Sequence, residues 1–231
     1  MNFKEEALKL NINLDELMEE KFSLYYDKLI EVNSYMNLTR ITEKNEVYNK
    51  HFYDSLTILK AIGNLDIKEV LDVGGGAGFP SIPLAIARPD LNITIIDALN
   101  KRIKFLNDLK DYLGLNNVLA LHERAEDFVK EKRDYYEIVT ARAVARLNIL
   151  LELCMPLVKV NGLFVALKGN ASDELEEAKN AIEILGGKLE QVITFDLPDN
   201  EGKREIIVVR KIKESNKKYP RLFQKIKERP L

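Results

Sequence analysis

Asp72, Gly74, Gly76 and Gly78 stand at two-residue steps in the run Leu71-Asp72-Val73-Gly74-Gly75-Gly76-Ala77-Gly78-Phe79-Pro80, and Asp97 follows Gly78 by nineteen positions. An apolar run that ends in an acid and passes into a glycine-dense turn is how a strand meets a nucleoside. Without Cβ atoms the glycines accept positive φ and let a ligand touch backbone. The second acid closes the run Asn92-Ile93-Thr94-Ile95-Ile96. A carboxylate about 20 residues downstream, at the tip of the next strand, is placed to accept hydrogen bonds from both ribose hydroxyls.

The spacing separates one adenosine ligand from another. Gly-x-Gly-x-x-Gly, the pyrophosphate pattern, would need its third glycine at Phe79 counted from Gly74, or at Ser81 counted from Gly76. Neither is met. An acid two residues ahead of three alternating glycines instead resembles the first motif of S-adenosylmethionine-dependent methyltransferases. That ligand has no pyrophosphate, and its amino and carboxylate groups can be served by backbone N–H and a nearby acid.

Little else in the chain offers covalent chemistry. There is one cysteine and there are two histidines, His51 and His122. An intrachain disulfide and a Cys/His zinc site are excluded, and a cytoplasmic compartment is expected. Cys154 stands among Leu150, Leu151, Leu153 and Met155, where it reads as a small buried hydrophobe. It is not placed to be the nucleophile that carbon-5 methylation of a pyrimidine requires. The Asn/Asp-Pro-Pro-aromatic tetrad of amino-group methyltransferases does not occur.

The elements that must hold these residues are legible from periodicity. Phe22, Tyr25, Leu29, Val32 and Met36 step by three and four, which predicts an amphipathic helix over about Leu14 to Met36. A second helix is expected from Glu46 to Ile62, ending at Gly63-Asn64. From Glu69 onward short apolar runs alternate with helical ones. Strands are expected at Val70–Val73, Asn92–Ile96, Val118–His122, Glu137–Thr140 and Leu163–Leu167, with helices at Phe79–Ala87, Lys101–Leu113, Leu147–Leu157 and Asp173–Leu185. This order implies a parallel sheet covered by helices on both faces. Lys188–Phe195 and Glu205–Lys211 are joined by a link too short for a helix, so they should form an antiparallel hairpin. The expected fold class is α/β, a Rossmann-like, mostly parallel seven-stranded sheet that ends in a hairpin.

Size and charge agree with one enzyme-sized unit. A chain of 231 residues can bury roughly 70% of its unfolded surface. The amino terminus shows no apolar leader, and no apolar run reaches the length of a membrane span. The net charge of −2 hides an asymmetry: Arg210 to Leu231 carries nine basic and two acidic residues, a local +7 against −9 for the rest. A basic segment on an acidic body is a candidate contact for nucleic-acid phosphates, the alternative being a solvated tail.

Beyond the glycine loop, the run from Asp72 to Ala85 resembles the signature of the RsmG (GidB) family. The resemblance continues in Asn37-Leu38-Thr39, Lys50-His51 with Asp54-Ser55, and Lys101-Arg102 with Phe105-Leu106. It extends through His122-Glu123-Arg124-Ala125-Glu126, Ala141-Arg142-Ala143-Val144-Ala145, Lys168-Gly169 and Tyr219-Pro220-Arg221. The resemblance implies methylation of N7 of one guanine in bacterial 16S ribosomal RNA, with S-adenosyl-L-methionine held at Gly74, Phe79, Ala125-Glu126 and Arg142. It implies the small ribosomal subunit or its RNA as partner. No membrane and no metal are expected from the sequence itself, and a monomer is expected. Two positions depart from the pattern. Gly75 stands where Ser or Ala is expected and should loosen the loop, and Ser81 stands where Gly is expected and adds a hydroxyl at the helix start.

Three parts follow: a helical N-terminal segment over 1–65 packing on the core, a methyltransferase core over 66–212, and a basic C-terminal tail over 213–231. The cofactor set is Asp72, Gly74, Gly76, Gly78, Phe79, Asp97, Ala125, Glu126 and Arg142. Arg142 could hold the methionine carboxylate or bond guanine O6, and Glu126 could read the adenine or simply favour a helix start. Arg142, Arg124, His51 and Asn37 are candidates to position the substrate. Arg40, Lys50, Lys168, Lys217, Lys218 and Arg221 are candidates to face RNA. No general base is expected, because guanine N7 has a free in-plane lone pair. A small-molecule methyltransferase and a non-catalytic adenosine or NAD module remain the alternative readings.

Overall fold

The computed structural model describes residues 1–63, 65–142, 145–169 and 171–231, with backbone alone at Ser172. The N-terminal helices are α1 (Phe3–Leu8), α2 (Glu16–Met36), α3 (Lys44–Val47), a π-helical turn (Tyr48–Tyr53), α4 (Asp54–Leu56) and α5 (Leu59–Ile62). The alternating region follows as β1 (Glu69–Val73), α6 (Ser81–Ala87), β2 (Asn92–Asp97), α7 (Asn100–Tyr112), β3 (Val118–His122), α8 (Ala125–Lys132) and β4 (Tyr136–Arg142). It continues through α9 (Leu147–Cys154), β5 (Val158–Lys168), α10 (Ser172–Ile184), β6 (Gly187–Asp196), β7 (Lys203–Lys211) and α11 (Phe223–Glu228).

The seven strands form one sheet in the order β3-β2-β1-β4-β5-β7-β6. β1 pairs in parallel with β2 and with β4, so Val73 sits beside Ile96 and Asp72 beside Thr140. β7 runs antiparallel to both β5 and β6, which is the expected hairpin. Strand order reverses between β1 and β4, and ligands of open α/β sheets bind beyond the carboxyl ends at such a point. The central strands are apolar on both faces because helices cover both. One face packs Phe22, Tyr25, Phe52, Ile82 and Leu106 into a single core. The other buries Val139, Leu150, Cys154 and Phe164. Cys154 is fully buried, and burial pushes its thiol well above the usual range.

Local signals set several boundaries. Asp15 caps α2 by accepting the Met18 N–H at 2.8 Å. The helix ends at Asn37, which takes the left-handed conformation at φ 53°, a role suited to asparagine. The helix expected from Phe79 begins instead at Ser81, and the one expected to reach Leu157 gives way at Cys154 to a 3₁₀ turn containing Pro156, which has no N–H to donate. The larger correction concerns Glu46–Ile62. No single helix forms there, because tertiary contacts select the π turn: the buried Asn49 donates from Nδ2 to Pro198 O at 2.8 Å, a partner invisible to local periodicity.

The basic end is not a solvated tail. Tyr219 and Ile226 are buried in the core beneath α9. Arg221 grips the fully buried Glu152 with Nε at 2.7 Å and Nη2 at 2.6 Å, while its backbone N–H donates to the same carboxylate at 2.9 Å. Lys211 is buried between Asp134, Met155 O and Val158 O, and Arg210 is paired with Glu190. These cations neutralise carboxylates of the body, whereas Lys217 and Lys218 remain exposed. Glu152→Ala should cost about 2 kcal/mol, below the about 3–5 of a fully buried pair, because the Arg221 side chain keeps 27% exposure. Thermal unfolding gives that value, and amide exchange around Tyr219 and Ile226 should quicken. Unchanged protection there would contradict the docking.

Candidate functional site

A cleft of about 460 Å³ opens where β1, β2 and β4 end. Its floor is the loop after Val73, with Gly74 at φ 81° and Gly76 at φ 59°. Gly74 N–H donates to Ile96 O at 2.8 Å, which ties the loop to β2. Asp97 at the tip of β2 fixes the bend from the other side. Its Oδ2 accepts Gly76 N–H at 3.0 Å and Arg102 Nη1 at 3.2 Å, and its Oδ1 accepts Leu99 N–H at 2.8 Å. A Cβ built on Gly76 would meet nothing nearer than Gly74 O at 3.9 Å. It would stand in the cleft itself, so glycine there keeps the floor bare for a ligand.

The neighbouring residues of the motif do different work. Gly75 does not loosen the loop: a Cβ there would lie 2.2 Å from Ile95 Cγ2, so glycine lets the loop press onto β2. Gly78, at φ 99°, does not line the cleft. It lies behind, where a Cβ would meet Ile82 Cγ1 at 2.6 Å and Tyr25 Oη at 2.9 Å. Asp72 is fully buried and presents no surface to the cleft. Its Oδ2 accepts the Ser81 hydroxyl at 2.5 Å, and Oδ1 has no partner among the described residues. Burial pushes Asp72 up to about 7, against the Ser81 bond and Arg142, which favour the charged form. The serine in place of the expected glycine is thus a partner for this buried acid.

The far wall is built around Arg142 at the end of β4. Its guanidinium lies 4.9 Å from the Phe79 ring centre, and His51 stacks on the same ring at 4.4 Å. Arg142 Nη1 donates to Asp54 Oδ2 at 3.0 Å and to Lys50 O at 3.4 Å, and Nη2 lies 3.2 Å from His51 Nδ1. Arg142 can only donate, so His51 Nδ1 accepts and Nε2 carries the proton toward Thr39 Oγ1 at 2.8 Å. The 3.1 Å approach of Nδ1 to Lys50 O is then a contact and not a hydrogen bond. Burial first, then the charge of Arg142, holds His51 down to about 3. The ring is neutral, and both its nitrogens are engaged.

Other candidates fall outside this cleft. Asn37 and Arg40 are exposed on the loop that brings Leu38 and Thr39 to the rim. Ala125 and Glu126 open α8 beside β3, away from the cleft lining. Glu126 lies 3.8 Å from the exposed Arg124. Lys168 does not face phosphate: its Nζ is held by Ala145 O and Glu174, both at 2.7 Å. Lys50 is engaged by Glu46 and Glu201, and Arg221 by Glu152. Ala143 and Val144, quoted with Arg142 in the motif, lie outside the described residues. Thr39, Asp54, Arg102 and Arg204 had no assigned role from sequence; Thr39, Asp54 and Arg102 carried a signal, each standing in a quoted motif, and Arg204 carried none.

A larger groove of about 670 Å³ is lined by the link between α1 and α2, by α5 and by the end of α6. Its cations are engaged, Lys9 by Glu6, Arg88 by Asp90 and Lys60 over the Phe195 ring at 5.1 Å, and it lacks the glycine floor, so the smaller cleft is the site. Among the described residues no group of His, Cys, Asp and Glu could hold a metal ion, and no helix is long and apolar enough to cross a membrane.

Comparison with known proteins decides the family. The family model described as rRNA small subunit methyltransferase G matches residues 18–208. The chain belongs to the rRNA small subunit methyltransferase G family. A relative from Lactobacillus johnsonii, named ribosomal RNA small subunit methyltransferase G, is 51% identical over 99% of this chain and 98% of its own. One of the same name from Bacillus subtilis is 54% identical, covering 91% of this chain and 89% of its own. The fold is also that of M. jannaschii TYW2, solved in complex with AdoMet, at TM-score 0.51 and 19% identity, covering 68% of this chain and 74% of that one. For a member of the methyltransferase G family, the NAD and small-molecule readings lose their footing.

Proposed function

We propose that this protein transfers the methyl group of S-adenosylmethionine to N7 of one guanine in bacterial 16S ribosomal RNA, acting as a monomer in the cytoplasm. The junction of Asp97 with Gly76 carries the reading. There a carboxylate at a strand tip meets a backbone that keeps no side chain in the cleft. The residues present fit the donor. A carboxylate offers about four acceptor positions. Among the described residues three are used on Asp97, which leaves room for a ribose hydroxyl on Oδ1. Turning the half-exposed Arg102 aside frees a second.

S-adenosylmethionine supplies a methyl group activated by a positively charged sulfur. The chain supplies alignment, worth up to about 7–11 kcal/mol when reacting atoms are held near contact. Gly74 and Gly76 let the nucleoside lie on backbone, and Asp97 holds the ribose. Arg142 takes the methionine carboxylate, and the Phe79–His51 stack keeps water from that wall. No residue needs to remove a proton, which accords with a neutral His51 whose nitrogens are both occupied. Exposed Arg40, Arg124, Lys217 and Lys218 meet RNA phosphates, so binding should weaken steeply with salt.

Incubation with labelled donor and small-subunit RNA or subunits, followed by nucleoside analysis, should give 7-methylguanosine. Label on another base, or on protein alone, would refute the reading. Asp97→Ala should weaken S-adenosylhomocysteine binding by roughly 1–3 kcal/mol, the cost of a lost buried hydrogen-bonding carboxylate. Calorimetry on the folded variant checks this, and an unchanged affinity would remove Asp97 from the site.

A further inference from the structure

Asp54 does not line the cleft, yet it touches the arginine that does. Its side chain is 8% exposed, and each oxygen takes a different guanidinium. Oδ2 accepts Arg142 Nη1 at 3.0 Å, and Oδ1 accepts Arg204 Nε at 3.0 Å. The two arginines come from β4 and β7, which are separated by β5. A carboxylate from the helical layer therefore bridges two strands that do not pair.

A guanidinium has five N–H bonds. Among the described residues, those on Nη1 go to Asp54 and Lys50 O, and one on Nη2 goes to His51. The remaining Nε–H and second Nη2–H share one edge, and that edge is the fork that matches a carboxylate. Of the three groups that hold the guanidinium, only Asp54 is charged. Burial and the nearby Arg204 both disfavour the Arg142 cation, and Asp54 is the largest opposing influence.

We infer that Asp54 is a positioning residue for the methyl donor: it fixes the plane of Arg142 so that the Nε/Nη2 edge meets the methionine carboxylate. The inference rests on the role given to Arg142 in the proposed function. An amide at position 54 could not replace the acid. It would offer one oxygen to two guanidiniums and turn an N–H donor against the other.

The test is calorimetry with two ligands, S-adenosylhomocysteine and 5′-methylthioadenosine, the second of which lacks the amino-acid end. Asp54→Asn should bind S-adenosylhomocysteine roughly 10- to 100-fold more weakly, the range for coupled contacting groups, and keep its affinity for 5′-methylthioadenosine. Combined with Arg142→Lys it should add little to the loss from Arg142→Lys alone, because both act through one contact. Equal losses for both ligands, or losses that multiply in the double variant, would overturn the inference. So would a normal affinity in Asp54→Asn while Arg142→Lys binds poorly. If Arg142→Lys itself binds S-adenosylhomocysteine normally, the reading of Arg142 fails and takes this inference with it. Should Asp54→Asn not fold, Asp54→Glu carries the test. It keeps the charge but shifts it by one methylene, and an affinity for S-adenosylhomocysteine equal to wild type would refute the role.

Discussion

Gly78→Ala is expected to destabilise the protein by about 2–6 kcal/mol, the sum of a left-handed backbone strain and an overpacked core. The backbone at Gly78 has φ 99°, and the new methyl would lie 2.6 Å from Ile82 Cγ1, 2.9 Å from Tyr25 Oη and 3.1 Å from Leu106 Cδ2. All three side chains are fully buried, so none has space to withdraw. Tyr25 is further pinned by donating its hydroxyl to Ala77 O at 2.6 Å. Displacing it would break the bond that joins α2 to the glycine loop. A fall in the urea midpoint at unchanged slope measures the cost. Gly76→Ala is the control: it has a positive φ but open space, so it should lose about 1–2 kcal/mol while obstructing donor binding. Equal destabilisation by the two substitutions would refute the assignment of Gly78 to packing.

Asp72→Asn should change how stability depends on pH. Burial raises the folded acid from 3.8 to about 7, so the fold favours the neutral form. Stability from this group is therefore fully present below about pH 4 and is lost as pH rises through 7. The asparagine variant, neutral throughout, should match wild type near pH 4 and exceed it above pH 8 by up to about 4 kcal/mol. His51 works in the opposite sense. Held down to about 3 from 6.5, it contributes stability above pH 6.5 that is lost as pH falls toward 3. The two trends offset each other in wild type, so the difference between wild type and variant isolates Asp72. Urea midpoints at pH 4, 6 and 8.5 would show it, and parallel curves would mean that Asp72 is charged in the fold.

The sheet and the loop were legible because their causes are local. Apolar runs of four or five residues, each followed by a helical period, suffice for β1 to β5, and the link at Asp196–Gly202 suffices for the hairpin. The offset alone pointed to Asp97 and the step to Gly76, and both line the cleft. The same step could not distinguish Gly76, which clears the cleft, from Gly78, which clears the core. Identical residue types at identical spacing serve different neighbours, and those of Gly78 come from α6, α2 and α7. Asp54 and Arg204 lie 150 positions apart, and no periodicity joins them. The basic end was misread for a related reason. A count of charges cannot reveal that Glu152, in a run that reads as apolar, waits buried for Arg221.

The π turn and α4 are fastened to the sheet through Asn49 with Pro198 and Asp54 with Arg204, spans of 149 and 150 residues. Synthesis proceeds from the amino end, so these helices leave the exit tunnel long before the strand that anchors them. A nascent chain that has reached Lys168 already carries the glycine loop, Asp97 and Arg142. It still lacks Arg204 and the hairpin that holds the far wall. Such distant closures are slow to form. The wall around Arg142 is therefore among the last parts to settle, and a truncated translation product lacks the Arg204 contact that braces it.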